Sequence, residues 1–379
     1  MKRRRVLIDQ PLLFCTLALL ALGLVMVFSA SANMAEARYG SAYLFVRKEL
    51  LWDILGFIVL FGCIRLDYHK WQKVSVGLLS IAFVLLAVVL VIGPVVKGAR
   101  RWIPLGFMNI QPSEVAKLAV IIWLADFLDR HRSQIQDFRK GFMPPLIVLG
   151  LLLVLILKEP DLGTPLLLGT TGLILLFLAG ARTIHLLGIM VVSLVPLYYE
   201  LFHVVYRYRR LMAFLNPWAD AGGAGYQLTQ SLLAFGSGGL LGKGLGASQL
   251  KQLYLPDPHT DFIFPVIGEE LGFVGAVSVI VVFIYWGLRG WSVAKRAPDL
   301  FGQLLAAGIT CWVLLQAAIN MGVSCGLLPT KGLPLPFVSF GGSSLIITMA
   351  AVGILLNISG QTINERGVGS RRLPSRGRT

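Results

Sequence analysis

Apolar residues run along this chain in long blocks. Ten such stretches stand near 12–31, 46–64, 74–96, 113–128, 143–158, 163–180, 184–202, 262–288, 302–326 and 337–358. A helix crossing a hydrocarbon core roughly 30 Å thick needs about 17–25 such residues. The two shortest, 113–128 and 143–158, leave nine crossings as the alternative count. No stretch alternates with period two, so a transmembrane barrel is excluded. The pattern predicts one all-α, polytopic membrane domain over residues 1–365. It has about ten transmembrane helices and a long outer loop, 203–261, between the seventh and eighth.

Composition fits this reading. The chain is 56% hydrophobic and 14% charged, with mean hydropathy +0.75, which excludes a soluble globular domain. Lys2-Arg3-Arg4-Arg5 precedes an apolar run ending in Ala30-Ser31-Ala32, as a signal peptide would. The run exceeds the usual core of about 7–15 residues, so an uncleaved first span is expected. With both termini inside, basic residues concentrate on the cytoplasmic side: residues 2–5, 65–73, 130–140, Arg182, 289–296 and the tail. The tail, 366–379, is basic and rich in Gly and Ser; it reads as disordered and held at anionic lipid heads.

Some cations defy that bias. Lys97, Arg100, Arg101, Arg207, Arg209, Arg210, Lys243, Lys251 and Lys331 fall on the outer side, which points to a polyanionic ligand there. The four cysteines, Cys15, Cys63, Cys311 and Cys325, have no paired spacing for a metal or disulfide and read as packing residues.

The densest chemistry is His259-Thr260-Asp261 followed by Phe262 to Gly272, which contains Glu269 and Glu270. A charge near the bilayer centre costs roughly 2.5–3.5 kcal/mol on insertion scales, so such residues face protein, water or ligand. Asp261 opens the apolar run, where a helix N-cap is the plain alternative to a chemical role. Glu269 and Glu270 lie roughly 12–13 Å deeper on a regular helix, too far to share a proton with Asp261, and read as structural.

Three further segments look shaped. Residues 97–106 lead through Gln111-Pro112-Ser113-Glu114 into the fourth span, with Ser113 as the expected cap. Lys158-Glu159-Pro160-Asp161-Leu162-Gly163-Thr164 reads as a tight turn exposing its charges, with Gly163 supplying an unusual dihedral. Pro329-Thr330-Lys331-Gly332-Leu333-Pro334-Leu335-Pro336 cannot continue a helix and forms a second wall of an outer cavity. Residues 226–235 read as a short helix at the interface.

Together these motifs resemble the SEDS family (shape, elongation, division and sporulation proteins), polytopic bacterial proteins that polymerise peptidoglycan glycan strands. The matching pieces are Arg101-Trp102-Ile103-Pro104, Gln111 to Glu114, Glu159 to Thr164, Asn216-Pro217-Trp218, Tyr226 to Leu232, Gly242 to Gly246, His259 to Phe264, Gly268 to Gly272, Pro329 to Pro336 and Gly341 to Ser344. Thr330-Lys331-Gly332 and Gly268 resemble the division branch more than the elongation branch.

The resemblance implies a substrate, lipid II, extended at the outer face of the bacterial cytoplasmic membrane with inversion, undecaprenyl pyrophosphate leaving. It implies Asp261 as general base. Lys331, Arg101, Arg207 and Arg210 become candidates for the pyrophosphate, and His259, Gln230 and Ser343 for pyrophosphate or sugar. The residues show no nucleotide loop and no dedicated metal-ligand cluster, so no permanent cofactor and no metal site are expected, although a divalent cation could arrive with the pyrophosphate. The implied partners would be the nascent glycan, a class B penicillin-binding protein and other division-complex membrane proteins, with no nucleic acid. Polymerisation in cell elongation, a lipid II flippase and a docking scaffold are the competing readings; polymer made from lipid II by purified protein discriminates them.

Overall fold

The computed structural model describes residues 8–96, 98–104, 106, 109–248 and 259–370, with side chains up to 362. Thirteen α-helices form among them: α1 (Gln10–Tyr39), α2 (Leu44–Arg65), α3 (His69–Ile92), α4 (Pro112–Arg130), α5 (Met143–Leu157), α6 (Gly163–Leu178), α7 (Thr183–Phe202), α8 (Val205–Leu215), α9 (Tyr226–Gly238), α10 (Ile263–Glu270), α11 (Gly272–Arg296), α12 (Leu300–Ser324) and α13 (Gly342–Ser370). Strands are minimal: β1 (Val95–Val96) pairs with β2 (Ala99–Arg100) and β3 (Ile103–Pro104) with β4 (Asn109–Ile110), both antiparallel. The all-α expectation holds.

Every apolar stretch read from the sequence falls mainly on helix, although 93–96 and 337–341 lie outside it and 262–288 is divided between two helices. Among the described residues, seven helices are long and apolar enough to cross a membrane: α1, α3, α5 with its preceding π turn (Phe138–Phe142), α7, α11, α12 and α13. The count of ten crossings is therefore not reached on this measure. α6 is short, and α2 and α4 each carry several charged residues, including Glu49 and Asp53, and Glu114, Lys117 and Asp126. The protein is a multi-pass membrane protein. α12 occupies the middle, packed against α4, α6, α11 and α13, while α13 lies along α2. α7 stands at the margin with Leu186 as its one buried residue; its exposed Val191, Leu194 and Val195 suit contact with lipid.

Three expectations change. Residues 203–261 are no open loop: α8, α9 and a 3-10 turn at Pro217–Asp220 occupy most of the described part. α9 packs against α10, α11 and α12, and Ser231 Oγ donates to the Ser324 carbonyl at 2.5 Å, so one face is committed to protein. The eighth span is not one helix, because α10 ends at Glu270 and α11 begins at Gly272 with φ +70°. And α13 runs to Ser370, into the tail read as disordered; 371–379 lie outside the described residues.

The break between α10 and α11 is stabilised by segment 239–244. A helix end leaves carbonyls or N–H groups without partners, which costs heavily away from water. Here Lys243 and Gly244 donate their N–H groups to the carbonyls of Glu269 and Glu270 at 3.0 Å each, and Phe273 and Val274 donate to Gly239 and Leu240 at 2.9 and 3.2 Å. A Cβ on Gly272 would stand 2.3 Å from the Gly242 nitrogen, so glycine is required both for its dihedral and for this approach.

The two glutamates complete the junction. Glu269 accepts from Lys243 Nζ (2.9 Å) and Ser248 Oγ (2.6 Å), and Glu270 from Ser29 Oγ (2.7 Å). Lys243, counted from the sequence among cations for an outer ligand, is thus engaged by protein.

The bundle has two distinct ends. At one, Arg289 pairs with Asp9 at 2.6 Å, the Asp9 N–H donates to Ser359 Oγ at 3.0 Å, and Tyr68 Oη donates to Asp299 at 2.6 Å. The opposite end holds the starts of α10 and α11 and the last turn of α12.

Candidate active site

That opposite end contains a cavity of about 590 Å³. Its wall is assembled from segments distant in sequence: Arg101 and Trp102 after β2, Pro160 to Gly163 before α6, Tyr206, Arg207 and Arg210 on α8, Gln227 on α9, Asp261 before α10, and Lys331 and Gly332 in the proline-rich segment. Asp261, Lys331, Arg101, Arg207 and Arg210 are thereby brought to one space.

The N-cap position of α10 is Phe262, one residue after Asp261. Asp261 stands against the proline-rich segment, where a Cβ added to Gly332 would lie 2.6 Å from Asp261 Oδ2. Lys331 is half-buried and its ammonium makes no ion pair or hydrogen bond among the described residues. Burial, with Arg207 nearby, pushes its pKa down to about 8 against the opposing pull of Asp161. A partly desolvated cation that lines a cavity and makes no ion pair among the described residues is a candidate for holding an anion.

The other cations are partly committed. Arg207 is buried and ion-paired with Glu200, and its Nε donates to Tyr206 Oη at 2.9 Å. Arg101 donates to the Glu159 and Pro160 carbonyls at 2.7 and 2.6 Å, so it holds the wall as well as lining it. Arg210 is exposed, with its guanidinium 5.8 Å from the centroid of the Tyr206 ring. Arg100 donates to the carbonyls of Leu90 and Val91 at the end of α3, a C-capping role. Lys97 and Lys251 lie outside the described residues.

Three candidates do not reach the cavity. His259 is buried, with ring centroids 4.5 Å from Phe45 and 5.4 Å from Phe340; its carbonyl accepts from the Phe340 N–H at 2.9 Å, so it fastens loop to loop. Gln230 is on α9, but the face turned to the cavity carries Gln227, almost a full turn earlier. Ser343 is buried in the first turn of α13.

The turn at 158–164 also departs from expectation. Glu159 and Asp161 are buried, and Asp161 lines the cavity. Asp161 accepts from the Gly163 and Thr164 N–H groups (2.9 and 3.2 Å) and from Thr164 Oγ1 (2.7 Å), capping α6. Glu159 has neither oxygen hydrogen-bonded among the described residues; burial and then Asp161 raise its pKa to about 8, with Arg101 opposing. Gly163 serves for space, since a Cβ there would meet Leu333 at 3.0 Å. Ser113 is not the cap of α4: Gln111 holds that position with Pro112 next.

Sequence reasoning missed Asp161, Tyr206, Gln227 and Asn320, a buried residue whose Nδ2 donates to the Asp261 carbonyl at 2.8 Å. The Asp-x-Gly-Thr spacing was a legible capping signal for the first; nothing local marks the others. No group of three or more His, Cys, Asp or Glu among the described residues is placed to hold a metal ion.

Comparison with known proteins gives a consistent set. The model of the FtsW, RodA and SpoVE family, described as cell cycle proteins, matches residues 10–364. A probable peptidoglycan glycosyltransferase FtsW of Geobacter metallireducens is 45% identical over 353 residues, covering 93% of this chain and 94% of that protein. Stage V sporulation protein E of Bacillus subtilis is 42% identical, covering 93% and 96%. Among solved structures, a chain from a peptidoglycan synthase complex that coordinates polymerization and crosslinking superposes with a TM-score of 0.80 at 28% identity, covering 94% of this chain and 98% of that one. The chain belongs to the FtsW, RodA and SpoVE family of cell cycle proteins, the family its motifs resemble.

Proposed function

We propose that this protein is a peptidoglycan glycosyltransferase that extends glycan strands from lipid II, and that the cavity is where it does so. The observation that carries the reading is Lys331, a half-buried ammonium with no ion pair or hydrogen bond among the described residues, in the cavity wall on a segment touching Asp261. An anionic leaving group and a proton acceptor are what glycan transfer by single displacement requires. The acceptor hydroxyl attacks the donor anomeric carbon, and its proton passes to Asp261. The carbon–oxygen bond to pyrophosphate breaks, and that charge is received by Lys331 with Arg207 and Arg210. Arg101 contributes by holding the 159–161 turn. Any divalent ion would enter with the phosphates, and chelation of an otherwise active preparation tests this.

The identity to proteins named FtsW supports a role in division, at the septal membrane. In this reading the Asp9–Arg289 end faces the cytoplasm and the cavity faces outward. A cysteine at Gly222 should then react with a membrane-impermeant reagent from outside, and one at Arg376 should not. The likeness to a chain of a synthase complex supports partnership with a class B penicillin-binding protein, which should raise the polymerisation rate when added. The test of the whole reading is a ladder of glycan polymers made from lipid II by the purified complex; substrate left unpolymerised would refute it.

A further inference from the structure

Asp261 and Lys331 sit on separate segments, and 329–335 has no regular structure to fix where Lys331 lies. The feature joining them is Asn320, in the last turns of α12. Its Nδ2 donates to the Asp261 carbonyl at 2.8 Å and to the Leu333 carbonyl at 2.7 Å. Both protons of one amide are used, so the geometry of the amide fork keeps the two carbonyls roughly 5 Å apart. Two carbonyl acceptors also dictate which way the amide points, since the reverse orientation would set oxygen against oxygen. One turn earlier Gln316 Nε2 donates to the Pro334 carbonyl at 2.9 Å. Gln316 Oε1 in turn accepts from Lys117 Nζ at 2.9 Å, and Lys117, fully buried, pairs with Glu114 at 2.7 Å. A polar ladder thus runs from α4 through α12 to the segment carrying Lys331.

We infer that Asn320 is a positioning residue that sets the base-bearing and cation-bearing segments at their working separation by holding one carbonyl from each. The inference rests on the proposed roles of Asp261 and Lys331. Asn320 touches no reacting atom; it acts through the backbone beneath both.

Misplacing reacting groups by about 1 Å can cost about 10²-fold in rate. Asn320→Ala should therefore lower kcat for polymerisation about 10–100-fold, with KM changed by less than about threefold, per folded molecule. In a Lys331→Ala background the same change should cost at most about threefold, because the cation it helps to place is gone. Gly332→Ala, at an exposed position, crowds the Asp261 carboxylate from the other side and should lower kcat without loss of folded protein. Should Asn320→Ala fail to accumulate, Asn320→Ser keeps one donor, can hold one carbonyl only, and should give the same pattern.

A readout independent of activity uses Asp261→Cys with Gly332→Cys in a Cys325→Ser background, the disulfide being measured by mass spectrometry. It should form readily with Asn320 present and several-fold more slowly with Asn320→Ala. Unchanged cross-linking, or kinetic effects that simply multiply in the double variant, would overturn the inference. If wild-type protein makes no polymer, the functional reading fails on its own, while the cross-linking still decides whether Asn320 holds the two segments.

Discussion

The two ends of the bundle treat charge in opposite ways. At the Asp9 end, Arg289 has Asp9, His69 stands between Asp67 (2.8 Å) and Asp299 (3.2 Å), and Tyr68 and Gln361 complete the set. At the cavity end Lys331 has no such partner among the described residues, and Arg210 is exposed. Compensation within the chain ties helix termini together; a charge with no ion pair of its own in a partly dry space is open to a partner from outside. The first arrangement should fail by unfolding, the second by losing chemistry.

The sharpest separation is expected from Lys331→Ala. It should reduce polymerisation about 10–100-fold, within the range of electrostatic stabilisers of a leaving group, while the apparent Tm stays level or rises. A fall in Tm proportional to the lost activity would erase the contrast between the ends.

The pH profile should follow the same residue. Its pKa is lowered to about 8, so raising the pH through 8 discharges the ammonium and weakens its hold on pyrophosphate. kcat/KM for lipid II should then fall, by up to about tenfold per pH unit, since that ratio reports the free enzyme. Lys331→Arg keeps its charge past pH 12 and should lose this alkaline limb. An unaltered limb would assign it to another group.

At the closed end, Arg289→Ala leaves the Asp9 carboxylate without its guanidinium. Because Arg289 is partly exposed, a loss of about 1–2 kcal/mol is expected, with polymerisation per folded molecule unchanged. Thermal unfolding beside the polymer assay separates the two effects. Glu270→Gln should behave alike at the α10–α11 junction, costing about 1 kcal/mol through its weakened bond to Ser29, with activity per folded molecule within about twofold.

These expectations mark how far the sequence reaches. Helix positions were legible because lipid demands long apolar runs, and the 329–336 wall because prolines bar helix. The α10–α11 break was not, since the 239–244 segment that satisfies its backbone lies some thirty residues away. Asp161 and Glu159 read as exposed because a short charged turn usually is; their burial comes from packing against residues around 101, 206 and 333. Asn320 looks like any polar residue on a helix until the two carbonyls it holds are seen. Of the outer cations, Arg100, Arg101 and Lys243 are engaged by carbonyls or carboxylate, partners that only the folded chain supplies.

The central claim is that Asp261 takes the acceptor's proton, and Asp261→Asn addresses it most directly. The change keeps size and hydrogen bonding while removing the base, and general-base assistance is worth about 10²–10⁴-fold. Detergent-purified Asp261→Asn protein, folded as the wild type is and assayed with the same proposed transpeptidase partner added, should leave lipid II unpolymerised on a gel that resolves glycan strands. A normal ladder would contradict the account.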